Sequence, residues 1–167
     1  GLNDGLVEIL GAVSGFFGAF GEATMVLIAA STTAVAGALS MAAGAFLALN
    51  SEKEVKTTEI AKKIFLGEAS EVVPMEESPI GSAIVVGSAY IAGAIIPVLP
   101  VVFGATNAMF SVLTAGLMVI LVSTVLSFLS GMDVIRRILL NLAIITIAGS
   151  VTYGIGVFAK RLWGIAL

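Results

Sequence analysis

Asp4 and Glu8 stand four residues apart in a stretch that is otherwise largely apolar from Leu2 to Phe20. On a helix that spacing places one carboxylate above the other on a single face. An ionised carboxylate at the centre of a bilayer costs about 2.5–3.5 kcal/mol on insertion scales. Two of them one turn apart do not both stay ionised without a cation, so the pair holds either protons or a positive ion. That choice is the elementary step of a proton-coupled cation site. A second reading stays open on these residues alone. If Gly1 marks the membrane edge, Asp4 caps the helix with Asn3, favoured by the helix dipole, and Glu8 is a lone interfacial charge.

Two other groups bear on metal chemistry. Met41 lies in Ser40-Met41-Ala42-Ala43-Gly44. Its thioether is a soft, neutral, weak ligand, suited to a borderline transition metal and poor for Mg²⁺ or Ca²⁺; methionine in an apolar helix also serves as plain filler. Further along, Glu68, Glu71, Glu76 and Glu77 have no Lys or Arg in their own stretch and stand around Met75. That cluster is either a collector of hard or borderline cations or a solvated acidic loop. The glutamates before it form i,i+4 pairs, Glu52 with Lys56 and Glu59 with Lys63, which read as a solvated helix face ended by Gly67. Asn107 and Asn141 are expected to make loop or interhelical hydrogen bonds.

The elements that must carry these residues follow from the charges. Of 167 residues 59% are apolar, and residues 23–51, 78–132 and 138–159 contain no charge at all. A membrane-spanning helix needs about 20 predominantly apolar residues, and a soluble domain of this length cannot bury three such runs. The chain is therefore an all-α integral membrane protein, a single transmembrane domain with five predicted spans at about 2–20, 23–49, 81–103, 108–130 and 138–158. The long uncharged run divides at the polar turn Gly104-Ala105-Thr106-Asn107. Residues 50–79 form a short acidic insert between spans two and three. Span two, ~40 Å long as a helix, must tilt or continue out of the membrane. Pro97 and Pro100 are expected to break span three near its outer end.

Basic residues set the orientation. With the N-terminus cytoplasmic, six of the eight Lys and Arg residues (Lys53, Lys56, Lys62, Lys63, Arg136, Arg137) face the cytoplasm, and only Lys160 and Arg161 lie outside. The C-terminus is then on the opposite side and the acidic insert is cytoplasmic. Gly11, Gly15 and Gly18 on span one, and Ala30, Ala34, Ala38 and Ala42 on span two, form small-residue faces that let helices approach closely in lipid. These two spans are expected to be tight neighbours or to form a dimer seam.

Several function classes are excluded. Without Cys or His there is no thiolate or imidazole metal site, no His-dependent triad and no disulfide framework. Ser or Thr without His lacks an activator, so an enzyme is not expected. A net charge of −3 without a basic stripe argues against nucleic acid as a partner. The opening segment has no basic n-region and holds two carboxylates, unlike a signal peptide. The chain starts at Gly1 rather than Met, which leaves room for residues ahead of it.

Gly1-Leu2-Asn3-Asp4-Gly5-Leu6-Val7 followed by Gly11-Ala12-Val13-Ser14-Gly15 resembles the vacuolar iron transporter family. So do Ala36-Gly37-Ala38-Leu39-Ser40-Met41-Ala42-Ala43-Gly44 running into Asn50-Ser51-Glu52-Lys53-Glu54, Gly93-Ala94-Ile95-Ile96-Pro97-Val98-Leu99-Pro100, and Arg136-Arg137 followed by Gly149-Ser150-Val151-Thr152-Tyr153-Gly154-Ile155-Gly156. The likeness runs through the whole chain in order. It implies a homodimer of five-helix subunits in a lipid membrane, with a pathway lined by helices one and two. It also implies export of Fe²⁺, and often Mn²⁺, from the cytoplasm in exchange for protons, with no resident cofactor. The family's intramembrane Asp and Met fall on Asp4 and Met41. Its cytoplasmic metal-gathering glutamates and Met correspond to the stretch holding Glu68, Glu71, Met75, Glu76 and Glu77, although this insert is too short for the family's full module. Some relatives with a similar opening carry a ferritin-like domain ahead of helix one, and the resemblance extends to the membrane part of such a fusion. Two departures stand out. Ala45 occupies a position where the family often has Glu, and Glu8 one where many members have Ser or Thr. The departures together suggest that a pathway carboxylate has moved from helix two to helix one. The rival reading is a non-transporting membrane scaffold in which Asp4 and Glu8 serve helix association.

Overall fold

A computed structural model describes residues 1–67, 78–131 and 133–164. The described chain contains five helices: α1 (Leu2–Ala19), α2 (Ala23–Phe65), α3 (Pro79–Val102), α4 (Met109–Ser130) and α5 (Val134–Trp163). Four of them, α2 to α5, are long and apolar enough to cross a membrane. The fifth, α1, is about 27 Å long at 1.5 Å per residue and falls outside that set. Asn3, Asp4, Glu8 and its glycines lower its apolar character.

Helix ends follow local chemistry. Ser78 caps α3 by accepting from the Gly81 amide at 3.4 Å, with Pro79 at the first helical position. Asp133 caps α5 by accepting from the Ile135 and Arg136 amides at 3.0 and 3.2 Å. That cap starts the helix one turn ahead of the apolar run, so α5 carries Arg136 and Arg137 within its first turn and Lys160 and Arg161 within its last. Gly21, Gly67, Gly104 and Gly131 take positive φ at the four breaks between helices, where a side chain would be strained.

Two helices differ from expectation. The second runs unbroken for 43 residues, about 64 Å, roughly twice the hydrocarbon thickness. Its charged final third continues straight out of the apolar part, ending just before Gly67. There Lys56 and Glu52 close to 2.7 Å and Asn50 donates to Glu54 at 2.9 Å, whereas Glu59 and Lys63 form no pair. The third helix passes through both Pro97 and Pro100 to Val102. Pro97 and Val101 are buried, so packing holds the last turns in place despite the missing amide donors.

Large and small residues are distributed the opposite way from a soluble domain. Buried positions on α2 to α5 are mostly Gly, Ala and Ser, while Leu39, Phe128, Leu129 and Ile135 stand out on the surface, Phe128 being 85% exposed. Lipid tails do not drive apolar side chains inward, so close packing falls to small residues and the bulky ones face the tails. The exception is α1. Ten of its 18 residues are buried, against three of 30 in α5, and it touches all four other helices.

The glycine faces find partners that spacing did not reveal. Those on α1 pack on α5: a Cβ on Gly15 would lie 3.2 Å from the Thr152 carbonyl, and one on Gly156 would fall onto the Gly15 carbonyl. The alanine face of α2 packs instead on α3, where a Cβ on Gly87 would meet Ala42 at 3.1 Å. Helices one and two do touch, through Ile9, Val13 and Phe17 against Val26 and Ala30, but their small-residue faces do not meet each other.

Candidate functional site

Three helix turns converge near the N-terminal end of α1. The Gly87–Tyr90 turn of α3 is flanked on one side by the Gly1–Gly5 turn of α1 and on the other by the Gly37–Ala42 turn of α2. Gly5 presses directly on the backbone of Tyr90, and Leu2 on Gly93. Backbone contact this close requires glycine, which explains why Gly5 and Gly93 stand where they do. Asp4 neighbours Gly5 in sequence, Glu8 lies one turn beyond it, and Met41 lies one turn from Gly37. Asp4, Glu8 and Met41 therefore share one level of the bundle.

Asp4 and Glu8 are exposed in the single chain, and both point away from the core that the rest of α1 enters. The Asp4 side chain is 59% exposed, and no side chain caps the start of α1. Glu8 stands at one end of an open groove of about 500 Å³ between α1 and α5, floored by Gly11, Ala12 and Gly15 and walled by Thr152 and Ile155. Below Asp4 and Glu8 the groove is lined on α1 by Gly11, Ala12 and Gly15, with Phe16 further along. Met41 is half-buried against the cluster that holds Ile9, Val13 and Tyr90.

Tyr90 is the residue that sequence reasoning missed. It is completely buried, the largest side chain so placed. Its ring end fits a notch that only glycine at position 37 leaves free. Its hydroxyl has no well-formed hydrogen bond among the described residues, a deficit that costs about 1–3 kcal/mol when a polar group is sealed from water. Glu8 is the charged group that acts on it most strongly, with Asp4 a weaker influence. The available signal was its type and place: a tyrosine deep in an aliphatic span, away from the interface where aromatic hydroxyls usually sit.

No three acidic side chains of the described residues converge on one point. One chain offers two carboxylates and a thioether, fewer oxygen donors than a divalent ion takes up. Glu68, Glu71, Met75, Glu76 and Glu77 lie outside the described residues. Asn141, expected to bridge helices, does so by donating to Ser123 of α4 at 3.0 Å.

Long apolar helices packed through small residues around a central helix with two carboxylates define an integral, multi-pass helical membrane protein. The sequence profile described as the VIT family matches residues 1–70 and 65–157, and the chain belongs to that family. Membership fits movement of metal ions across a membrane rather than an enzymatic reaction, in line with the resemblance read from the sequence. No protein of curated function and no solved structure matches the chain.

Proposed function

We propose that the protein exports Fe²⁺, with Mn²⁺ as a second substrate, from the cytoplasm in exchange for protons. Two copies form the transporting unit. The observation that carries this reading is the position of Asp4 and Glu8: on the one open strip of an otherwise buried helix, above a groove floored by Gly11, Ala12 and Gly15. Carboxylates facing bare lipid are expensive, whereas a second copy laid along the same strip encloses them. Symmetry then doubles the donor set to four carboxylates and two thioethers, with each α1 facing its counterpart across the axis. In this arrangement α1 crosses the membrane as the fifth span, shielded by its neighbours and its copy.

The cycle needs few parts. Fe²⁺ entering from the cytoplasm displaces protons from Asp4 and Glu8, because carboxylates bind metal only when deprotonated. Met41 adds a soft contact that favours Fe²⁺ over Mg²⁺ and Ca²⁺. Rocking of the bundle then opens the site outward, where a more acidic compartment returns the protons and releases the metal. The bias of the basic residues favours a cytoplasmic N-terminus and a cytoplasmic charged end of α2, and in this reading the acidic stretch with Glu68, Glu71, Met75, Glu76 and Glu77 gathers metal on that side.

Proteoliposomes loaded with an Fe²⁺-sensitive dye test the reading. Uptake should follow an imposed pH gradient and fall at least about 100-fold, the loss of roughly 2.7 kcal/mol, in Asp4→Asn. Glu8→Gln should also slow uptake; an unchanged rate would refute the relocated pathway carboxylate. No uptake by well-folded protein under any gradient supports the scaffold reading instead.

A further inference from the structure

The carboxylate pair and Met41 lie on different helices, and the Tyr90 side chain is the body between them. Its backbone is clamped by Gly1 and Gly5 of α1, and its phenol head lies against Gly37, one helical turn from Met41. The hydroxyl is sealed from solvent and makes no well-formed hydrogen bond, and the Glu8 carboxylate is the neighbouring group that could accept one. The Gly37 notch holds the ring, so the hydroxyl cannot move off to find another partner. A buried donor held beside a carboxylate that it does not bond in good geometry is explained if that bond tightens when the site is loaded. Hydrogen bonds of functional sites commonly tighten only when the ligand is bound.

We propose that Tyr90 is a positioning residue of the metal site, whose hydroxyl donates to one Glu8 carboxylate oxygen when the site is loaded and turns the other oxygen towards the ion and Met41. The inference rests on the transport reading above and extends the site from two helices to three. Groups that orient a metal ligand through a hydrogen bond are worth about 10–100-fold in metal affinity. A phenol suits the task because it stays neutral and adds no charge that would hold the ion too tightly to release.

Tyr90→Phe keeps the ring in its notch and removes only the donor, so the bundle should fold. In proteoliposomes the half-saturating Fe²⁺ concentration should rise about tenfold while the maximal rate stays within about twofold. In a Glu8→Gln background the same substitution should change nothing further. The metal-loaded minus metal-free infrared difference spectrum gives an independent readout in detergent. The chain has two tyrosines, and the wild-type spectrum should contain a tyrosine C–O band that Tyr90→Phe removes, Glu8→Gln shifts and Tyr153→Phe leaves intact. Wild-type affinity in Tyr90→Phe, or a spectrum without that band, overturns the proposal. So does an equal loss with and without Glu8, which would mark a purely structural role. Wild-type protein that takes up no Fe²⁺ overturns the transport reading itself, and this inference with it.

Discussion

Helices α1 and α4 are nearly opposite in character. α4 has no charged residue and is the kind of helix that crosses a bilayer on composition alone, yet it buries only Ser111, Ala115, Val119, Ser123 and Ser127 along one narrow stripe. α1 misses that standard because of Asn3, Asp4, Glu8 and its glycines, yet it is the hub against which every other helix packs. The contrast teaches that apolarity in a membrane protein measures exposure to lipid, not importance to the fold. A helix wrapped by its neighbours on most sides can carry glycines on its packed faces and charges on the strip left open, and those are the residues a transport site needs.

Two substitutions sharpen the contrast. A leucine at Gly93 would drive its Cβ into the Leu2 carbonyl and push α1 off α3. A loss of at least about 3 kcal/mol, the upper part of the overpacking range, is expected. At Gly154, on the lipid-facing side of α5 with open space around it, the same change should hold stability or raise it by up to about 1 kcal/mol through helix propensity. Melting of the detergent-solubilised variants measures both, and equal losses would erase the distinction between hub and rim. A smaller effect is expected where α4 meets α5. Asn141→Leu removes the bond to Ser123 and should cost about 0.6–1.7 kcal/mol, the range for interhelical polar pairs in membranes. Fe²⁺ uptake should persist, because this seam lies away from the carboxylates.

The same contrast explains what could be read in the sequence. The four lipid-facing helices were legible because the charge-free runs mark them directly, and Gly67, Gly104 and the basic pairs mark their limits. The length of α2 was only half legible, since charges after Ser51 show where the membrane ends but not that the helix continues to Phe65. The small-residue faces showed that helices approach closely without showing which ones. Gly11, Gly15 and Gly18 meet α5, and Ala38 and Ala42 meet α3, because a glycine stripe specifies distance and carries no side chain to specify a partner. Asp4, Glu8 and Met41 could be picked out singly by residue type. Their shared level, and Tyr90 between them, depend on backbone contacts at Gly5, Gly37 and Gly93 that only three dimensions reveal.

In the proposed transporter the open strip of α1 meets its own copy around the pathway. The chain has no cysteine, so one introduced at Ala12, in the groove one turn below Glu8, reports on that contact alone. In proteoliposomes, oxidised Ala12→Cys should run as a covalent dimer whose Fe²⁺ uptake stops, and reduction should restore both the monomer band and transport. Leu121→Cys on the lipid face of α4, 57% exposed, should neither cross-link nor change uptake. Failure of Ala12→Cys to cross-link, or uptake that continues unchanged through the cross-linked dimer, would contradict the account.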